Sequence, residues 1–284
     1  MKTVVVTGAS TGIGAATARR LAANGWRVFA GVRKESDGEA LKAGTNGDLR
    51  PIILDVTNPD DLKKAVAVVS EALGDEKLAG LVNNAGIAKF GPLAVQPMED
   101  FRHQFEVNVF GLMQAMQAFV PLLGAERART GEPGRIVNIT SVGGRISAPF
   151  LGAYAATKHA VEALTDSMRR ELVIYGIDAI AVGPGSVKTP IWDKAEKENE
   201  TGPYTNSDWS KEVIAFEKAM LTGGRTGLPP EEIAEVIETA LSDLKPKARY
   251  APVPSKLTNW TIPSRLPKRI LDGIFWKRLG LKRR

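Results

Sequence analysis

Cysteine is absent from all 284 residues, so the chain can build neither a disulfide framework nor a thiolate metal site. Histidine is nearly absent: His103 and His159 stand far apart without a ligand spacing, so no bound metal is expected. No run reaches about 18 consecutive apolar residues, the length read as a membrane-crossing helix. Nor does a basic segment, a short apolar stretch and a cleavage site precede the strand-like Thr3-Val4-Val5-Val6, so a cytoplasmic chain is expected. What remains is ordinary globular material, 43% hydrophobic and 25% charged, enough for one large domain or two small ones.

Positive charge is concentrated at one end. Residues 265–284 hold eight Lys or Arg against one acid, Asp272, a net +7, while the whole chain carries +6. Residues 1–264 therefore sum to −1, and the body offers no basic surface for nucleic acid.

A β-branched run over residues 2–7 leads into Gly8-Ala9-Ser10-Thr11-Gly12-Ile13-Gly14 and then an Ala-rich helical pattern. Strand, glycine turn and helix is the arrangement in which backbone N–H groups and a helix N-terminus receive a pyrophosphate. The same letters fit the serine elbow of a hydrolase at Ser10, although that elbow normally follows several strands and here follows the first. The second strand, Arg27 to Val32, ends in Val32-Arg33. An NAD-selective fold places an acid about 20 residues past the glycines to bind the ribose. None is present, and the Arg33 guanidinium suits a 2′-phosphate, which favours NADP and leaves NAD open.

Strands are also expected at Pro51–Leu54, Leu78–Val82, Gly134–Thr140 and Ile177–Val182, with helices at Asn58–Leu73 and Met98–Leu123. The alternation predicts a parallel, doubly wound sheet flanked by helices. Asp55 ends the third strand, where it serves either an adenine or the turn itself. Asn83-Asn84-Ala85-Gly86 ends the fourth. Asn108 lies in an apolar helical setting that is unfavourable unless its amide has partners.

Ser141 follows the fifth strand, and Tyr154 and Lys158 come one helical turn apart on one helix face. A phenol titrates near pH ~10; an ammonium ~4 Å away at an effective dielectric of ~20 favours the phenolate by up to about 4 kcal/mol, roughly three pH units. That makes Tyr154 a candidate general acid or base. The same spacing also describes an ordinary surface pair, so the decision rests on the ordered set of motifs.

That set is T-G-x-x-x-G-I-G, N-N-A-G, a helical Asn, Ser followed by Tyr-x-x-x-Lys, and P-G-x-V-x-T. Over residues 1–250 it resembles the short-chain dehydrogenase/reductase family. The Val-Arg strand end and Phe-Glu-Val-Asn-Val-Phe-Gly are worded most like the hydroxysteroid and retinol dehydrogenase branch. The resemblance implies a single Rossmann-type domain that interconverts a secondary alcohol and a ketone or aldehyde by hydride transfer, working as a homodimer or homotetramer. It implies Tyr154 as acid or base, Lys158 holding the nicotinamide ribose and lowering the Tyr154 pKa, Ser141 orienting the carbonyl, and Asn108 ordering a water. By the same resemblance the cofactor is lined by Gly8, Ser10, Thr11, Gly12, Ile13, Gly14, Arg33, Asp55, Val56, Asn84, Ala85, Gly86, Pro184, Gly185, Val187 and Thr189, beside Tyr154 and Lys158. Thr11 stands where many NADP-using relatives carry a second basic residue.

Residues 191–227 occupy the place of a substrate lid. Trp192, Tyr204, Trp209, Phe216, Met220 and Leu221, with Phe90, Phe150 and Leu151, form either ordinary packing or an apolar mouth for a lipophilic ketone. Residues 251–284 form a basic extension in which Leu266, Ile270, Ile274, Leu271, Phe275 and Leu279 fall along a helix. That helix either docks on the body or a neighbouring subunit, or lies on an anionic membrane as a peripheral contact. A non-catalytic cofactor sensor using this tail is the alternative to an enzyme.

Overall fold

The computed structural model describes residues 1–189, 204 and 207–282. Seven strands form one parallel sheet in the order β3-β2-β1-β4-β5-β6-β7. They are β1 (Thr3–Val6), β2 (Arg27–Val32), β3 (Leu49–Ile53), β4 (Gly80–Asn83), β5 (Arg135–Ile139), β6 (Asp178–Val182) and β7 (Arg249–Tyr250). β1 pairs with β2 through Val5↔Phe29 and with β4 through Val5↔Leu81. The order reverses at β1, so a crevice opens between β1 and β4 at the carboxyl edge, where ligands bind in open parallel sheets.

Both faces of the sheet are covered, which is why β1 is an unbroken apolar run and not an alternating one. Successive side chains point to opposite faces. Val4 and Val6 enter one core cluster with α1 (Gly12–Ala23) and the helix over Pro230–Ser242, and Val5 enters the other with α3 (Pro59–Leu73) and the long helical run from Met98. α2 (Glu35–Ala43) packs beside β2 and β3.

The expected helix over Met98–Leu123 is α4 (Met98–Phe105), a π turn (Glu106–Gly111) and α5 (Leu112–Val120), closed by a second π turn (Pro121–Ala125). Met98–Ala125 is long and apolar enough to cross a membrane, but Leu112, Ala115 and Phe119 are buried in the second core cluster, as in a core helix. Among the described residues, α6 (Gly152–Glu171), α7 (Ser210–Arg225), α8 (Pro230–Ser242) and α9 (Lys268–Leu279) complete the α-helices. α2, α8 and β7 add to the elements expected from sequence. β3 starts at Leu49 and accommodates Pro51, because it is an edge strand whose outer side asks for no N–H. Pro190, Trp192 and most of the stretch up to 206 lie outside the described residues.

Candidate active site

Each turn at the carboxyl edge of the sheet brings one part of the site. After β1, Gly8 takes a left-handed backbone (φ 64°), and a β-carbon there would meet Ala85 Cα at 2.7 Å. Only glycine satisfies both conditions. The bend is held from β4: Asn84 Nδ2 donates to the carbonyls of Thr7 and Gly8 at 3.0 and 2.9 Å. Thr7 Oγ1 accepts the N–H groups of Asn84 and Ala85 at 3.0 and 3.1 Å. Asn84 thus shapes the glycine turn directly. Thr7 belongs to the same clasp, and its position next to the first glycine is the signal that could have found it.

α1 begins at Gly12 with no side chain capping it and no acid in its first turn, so its N-terminal amides and dipole suit an incoming anion. Thr189, from the loop after β6, lies against Gly12: a β-carbon on that glycine would sit 3.1 Å from Thr189 Cγ2. Arg33 is exposed at the end of β2, as is Lys34 beside it. Asp55 spends Oδ1 on the N–H and hydroxyl of Thr57, at 2.9 and 2.7 Å, which is the turn role. Val56 and Val187 bury their side chains in the two core clusters, so only their backbones are left for a ligand. Pro184 accepts the Val142 N–H through its carbonyl, tying the last loop to the Ser141 turn. This glycine turn, with its uncapped helix and the exposed cations at the β2 end, fits an NAD(P) dinucleotide.

The reacting end is built from β5 and α6. Ser141 caps a short turn, its Oγ accepting the Gly143 N–H at 3.0 Å, and a β-carbon on Gly143 would stand 3.3 Å from that Oγ and 3.5 Å from Tyr154 Cε1, so serine and phenol meet there. Lys158 is buried, 5% exposed, with Nζ donating to the Ile139 carbonyl at 2.9 Å and lying 5.8 Å from the centre of the Tyr154 ring. A β-carbon at Gly86 would stand 3.2 Å from Asn108 Oδ1 and 3.7 Å from Lys158 Nζ, so the three meet at one point. Asn108 sits in the π turn and uses its amide fully: Oδ1 accepts Ile87 N–H at 2.8 Å, and Nδ2 donates to Ile87 O and to Thr157 Oγ1 at 2.9 and 3.1 Å. Thr157 in turn donates to the Tyr154 carbonyl at 2.7 Å. The partners that Asn108 requires are therefore a loop and a helix, and its side chain works as a clamp between them.

One expectation is corrected. Lys158 was expected to bring the phenol down, but the Tyr154 pKa is raised, because burial of the hydroxyl outweighs the hydrogen bond from Ser141. The amine lies over the ring, and burial lowers its own pKa to about 8 against the opposing charge of Glu162. Glu162 stands four residues past Lys158 on the same helix face, a spacing visible in the sequence.

Next to the start of α6, Phe150, Tyr204, Val213 and Phe216 form a buried cluster with Phe90, Leu151 and Met220 packed against it. Phe150 and Phe216 meet edge to face at 5.5 Å, and Trp209 adds a third ring 6.2 Å from Phe150. Leu279 of α9 is buried in the same cluster, so the basic extension docks on the body through one face. Its apolar residues split: Leu279 faces inward, while Ile270, Ile274 and Trp276 are about half exposed.

A dinucleotide turn and a Ser–Tyr–Lys set on one edge of one parallel sheet describe a nicotinamide-dependent oxidoreductase. The profile described as short chain dehydrogenase matches residues 2–200. The chain is 38% identical over 279 residues to the NADPH-dependent 3-dehydrocapnine reductase of Ornithobacterium rhinotracheale, covering 98% of each chain. It is 31% identical over 295 residues to retinol dehydrogenase 16 of Mus musculus, covering 98% of this chain and 89% of that one. A short-chain dehydrogenase structure from Streptomyces avermitilis superposes with TM-score 0.77 at 27% identity, covering 99% and 98% of the two chains. This chain belongs to the short-chain dehydrogenase/reductase family, in its retinol- and hydroxysteroid-dehydrogenase-like branch, and is an NAD(P)-dependent enzyme acting on CH–OH groups. The sensor and Ser10 hydrolase alternatives fall with that assignment.

Burial of Lys158 has a signature in stability. The folded protein releases this proton near pH 8 and the unfolded chain near its ordinary value of 10.5. Between those values the unfolded state binds more protons, so stability rises with pH across the window, and below it the buried ammonium costs stability. In urea titrations, Lys158→Met should gain most over the parent below about pH 8, and that gap should narrow towards pH ~9.5. A gap constant across the range would show that the amine is not held in the buried state described.

Proposed function

We propose that the protein is an NADP-preferring carbonyl reductase, reversible as an alcohol dehydrogenase, acting on a lipophilic substrate. The observation that carries this reading is the convergence of Ser141 Oγ and the Tyr154 ring at Gly143 while the Lys158 amine lies over the same ring. A bound nicotinamide supplies or accepts the hydride at the carbonyl carbon. Ser141 and Tyr154 hold the carbonyl oxygen, and as negative charge grows there Tyr154 releases its proton to it. Lys158, as an ammonium, favours the phenolate left behind. A phenol whose pKa is raised is fully protonated at neutral pH, which suits the reductive direction.

Support for NADP comes from the absence of an acid at the β2 end, the exposed Arg33 and Lys34, and a relative whose name states NADPH dependence. Support for a lipophilic substrate comes from the aromatic cluster at the start of the helix that carries Tyr154 and from a relative named retinol dehydrogenase. Ketone-dependent oxidation of NADPH, followed by absorbance, should fall about 100- to 10,000-fold in Tyr154→Phe. Arg33→Ala should raise KM for NADPH and leave KM for NADH nearly unchanged. Full activity in Tyr154→Phe would end the catalytic reading, and equal effects on the two cofactors would end the preference.

The outward face of α9 supports peripheral contact with an anionic membrane. Ile270 and Ile274, one helical turn apart, are exposed with Lys277 and Arg278 on either side of them, a short apolar stripe with basic flanks that suits the interface between headgroups and acyl chains. Binding to phosphatidylglycerol vesicles, weak on phosphatidylcholine and lost in the Ile270→Asp/Ile274→Asp variant, is the expected result in a flotation assay. Equal binding by parent and variant would remove this reading.

A further inference from the structure

Behind Lys158 lies a charged cluster that the mechanism above does not use. Glu162 is 6% exposed and both its oxygens are occupied. Oε1 accepts the Thr140 hydroxyl at 2.6 Å and the Arg249 Nε–H at 3.0 Å; Oε2 accepts Arg249 Nε–H at 2.9 Å and Arg145 Nε–H at 3.2 Å. Pairing a carboxylate this deep brings little net stability, because its desolvation cancels most of the gain. Here the cluster touches the catalytic set from two sides. Thr140 lies between Ile139, whose carbonyl holds the Lys158 amine, and Ser141, whose own carbonyl accepts Arg249 Nη2 at 3.4 Å.

Arg249 is held in turn by the extension. It stacks over Trp260 with its guanidinium carbon 4.3 Å from the ring centre, a cation–π contact that shields the charge from water. Its guanidinium passes so close to Gly183, in the loop after β6, that a β-carbon there would collide with it. The titratable and charged groups around Lys158 are Tyr154 and Glu162 on its own helix, Arg145 after β5 and Arg249 on β7. From the π turn after α4 it meets the uncharged Asn108.

We infer that Glu162 and Arg249 are positioning residues of opposite sign that together set the protonation of Lys158 and seat Ser141, so that the C-terminal segment carrying Arg249 and Trp260 is part of the catalytic apparatus. This deepens the carbonyl-reductase reading and rests on it for its consequence in turnover. Glu162 favours the ammonium that Tyr154 requires, and Arg249 limits how strongly it does so while fixing the carboxylate in place.

The two residues must then act in opposite directions, which a merely structural role does not produce. In the full-length protein with 13C-labelled lysine, the Lys158 signal is assigned by its loss in Lys158→Arg and its midpoint read by NMR titration. Glu162→Gln should lower that midpoint by roughly one pH unit, Arg249→Met should raise it by a similar amount, and the double variant should return near the parent value. Arg249→Lys, which keeps the charge, should leave it in place. If Glu162→Gln does not fold, Arg249→Met against Arg249→Lys decides alone. Shifts of the same sign in both single variants, or lower melting temperatures with unmoved midpoints, would overturn the inference. Because the titration needs neither cofactor nor substrate, it stands apart from the Tyr154→Phe assay: moved midpoints without turnover would sink the reductase reading and leave the cluster's action on Lys158 in place.

Discussion

Lys158 holds its ammonium among buried atoms, where a charge is costly unless neighbours receive it. Much of the site can be understood as the means of receiving it. The Ile139 carbonyl ends a strand of the sheet and so has a free lone pair at the carboxyl edge; Glu162 lies one helical turn away; Asn108 closes the third side from a π turn that opens the long helix at this level. Burial nonetheless draws the amine down to about 8. A group that titrates so close to neutrality responds to small changes in the charges around it, which a fully solvated lysine would not.

The sheet explains why these groups can meet. All seven strands run the same way, so every turn that follows a strand opens on one edge. The glycine bend after β1, the amide after β4, the serine after β5 and the loop after β6 come from widely separated stretches of chain and need only short turns to converge. Chemistry is confined to that edge, and the two apolar clusters on either face do the folding.

Much of this was legible in the sequence because it depends on local rules. Strand positions followed from β-branched runs, and the glycine turn and Tyr-x-x-x-Lys followed from spacing. What stayed hidden depends on distance in the chain. Arg249 lies in a two-residue strand too short to show a period, and its partner Glu162 is 87 residues away. The sign of the Tyr154 shift was misread because spacing reports which groups are near one another and says nothing of how much water surrounds them. Of the six apolar residues of the tail, Leu279 is buried in the aromatic cluster while Ile270 and Ile274 stay about half exposed. Which of two apolar stripes is buried is a property of the surface it meets.

The clasp that Asn84 places on the first bend also bears on how a nucleotide is taken up. A loop that must be ordered by its ligand subtracts that ordering from the affinity. Here the bend is tied to the neighbouring strand by four hydrogen bonds made entirely within the protein. Its entropy was surrendered during folding, so an arriving pyrophosphate meets a mould already set, and the free energy of docking goes to holding the ligand and not to shaping its seat.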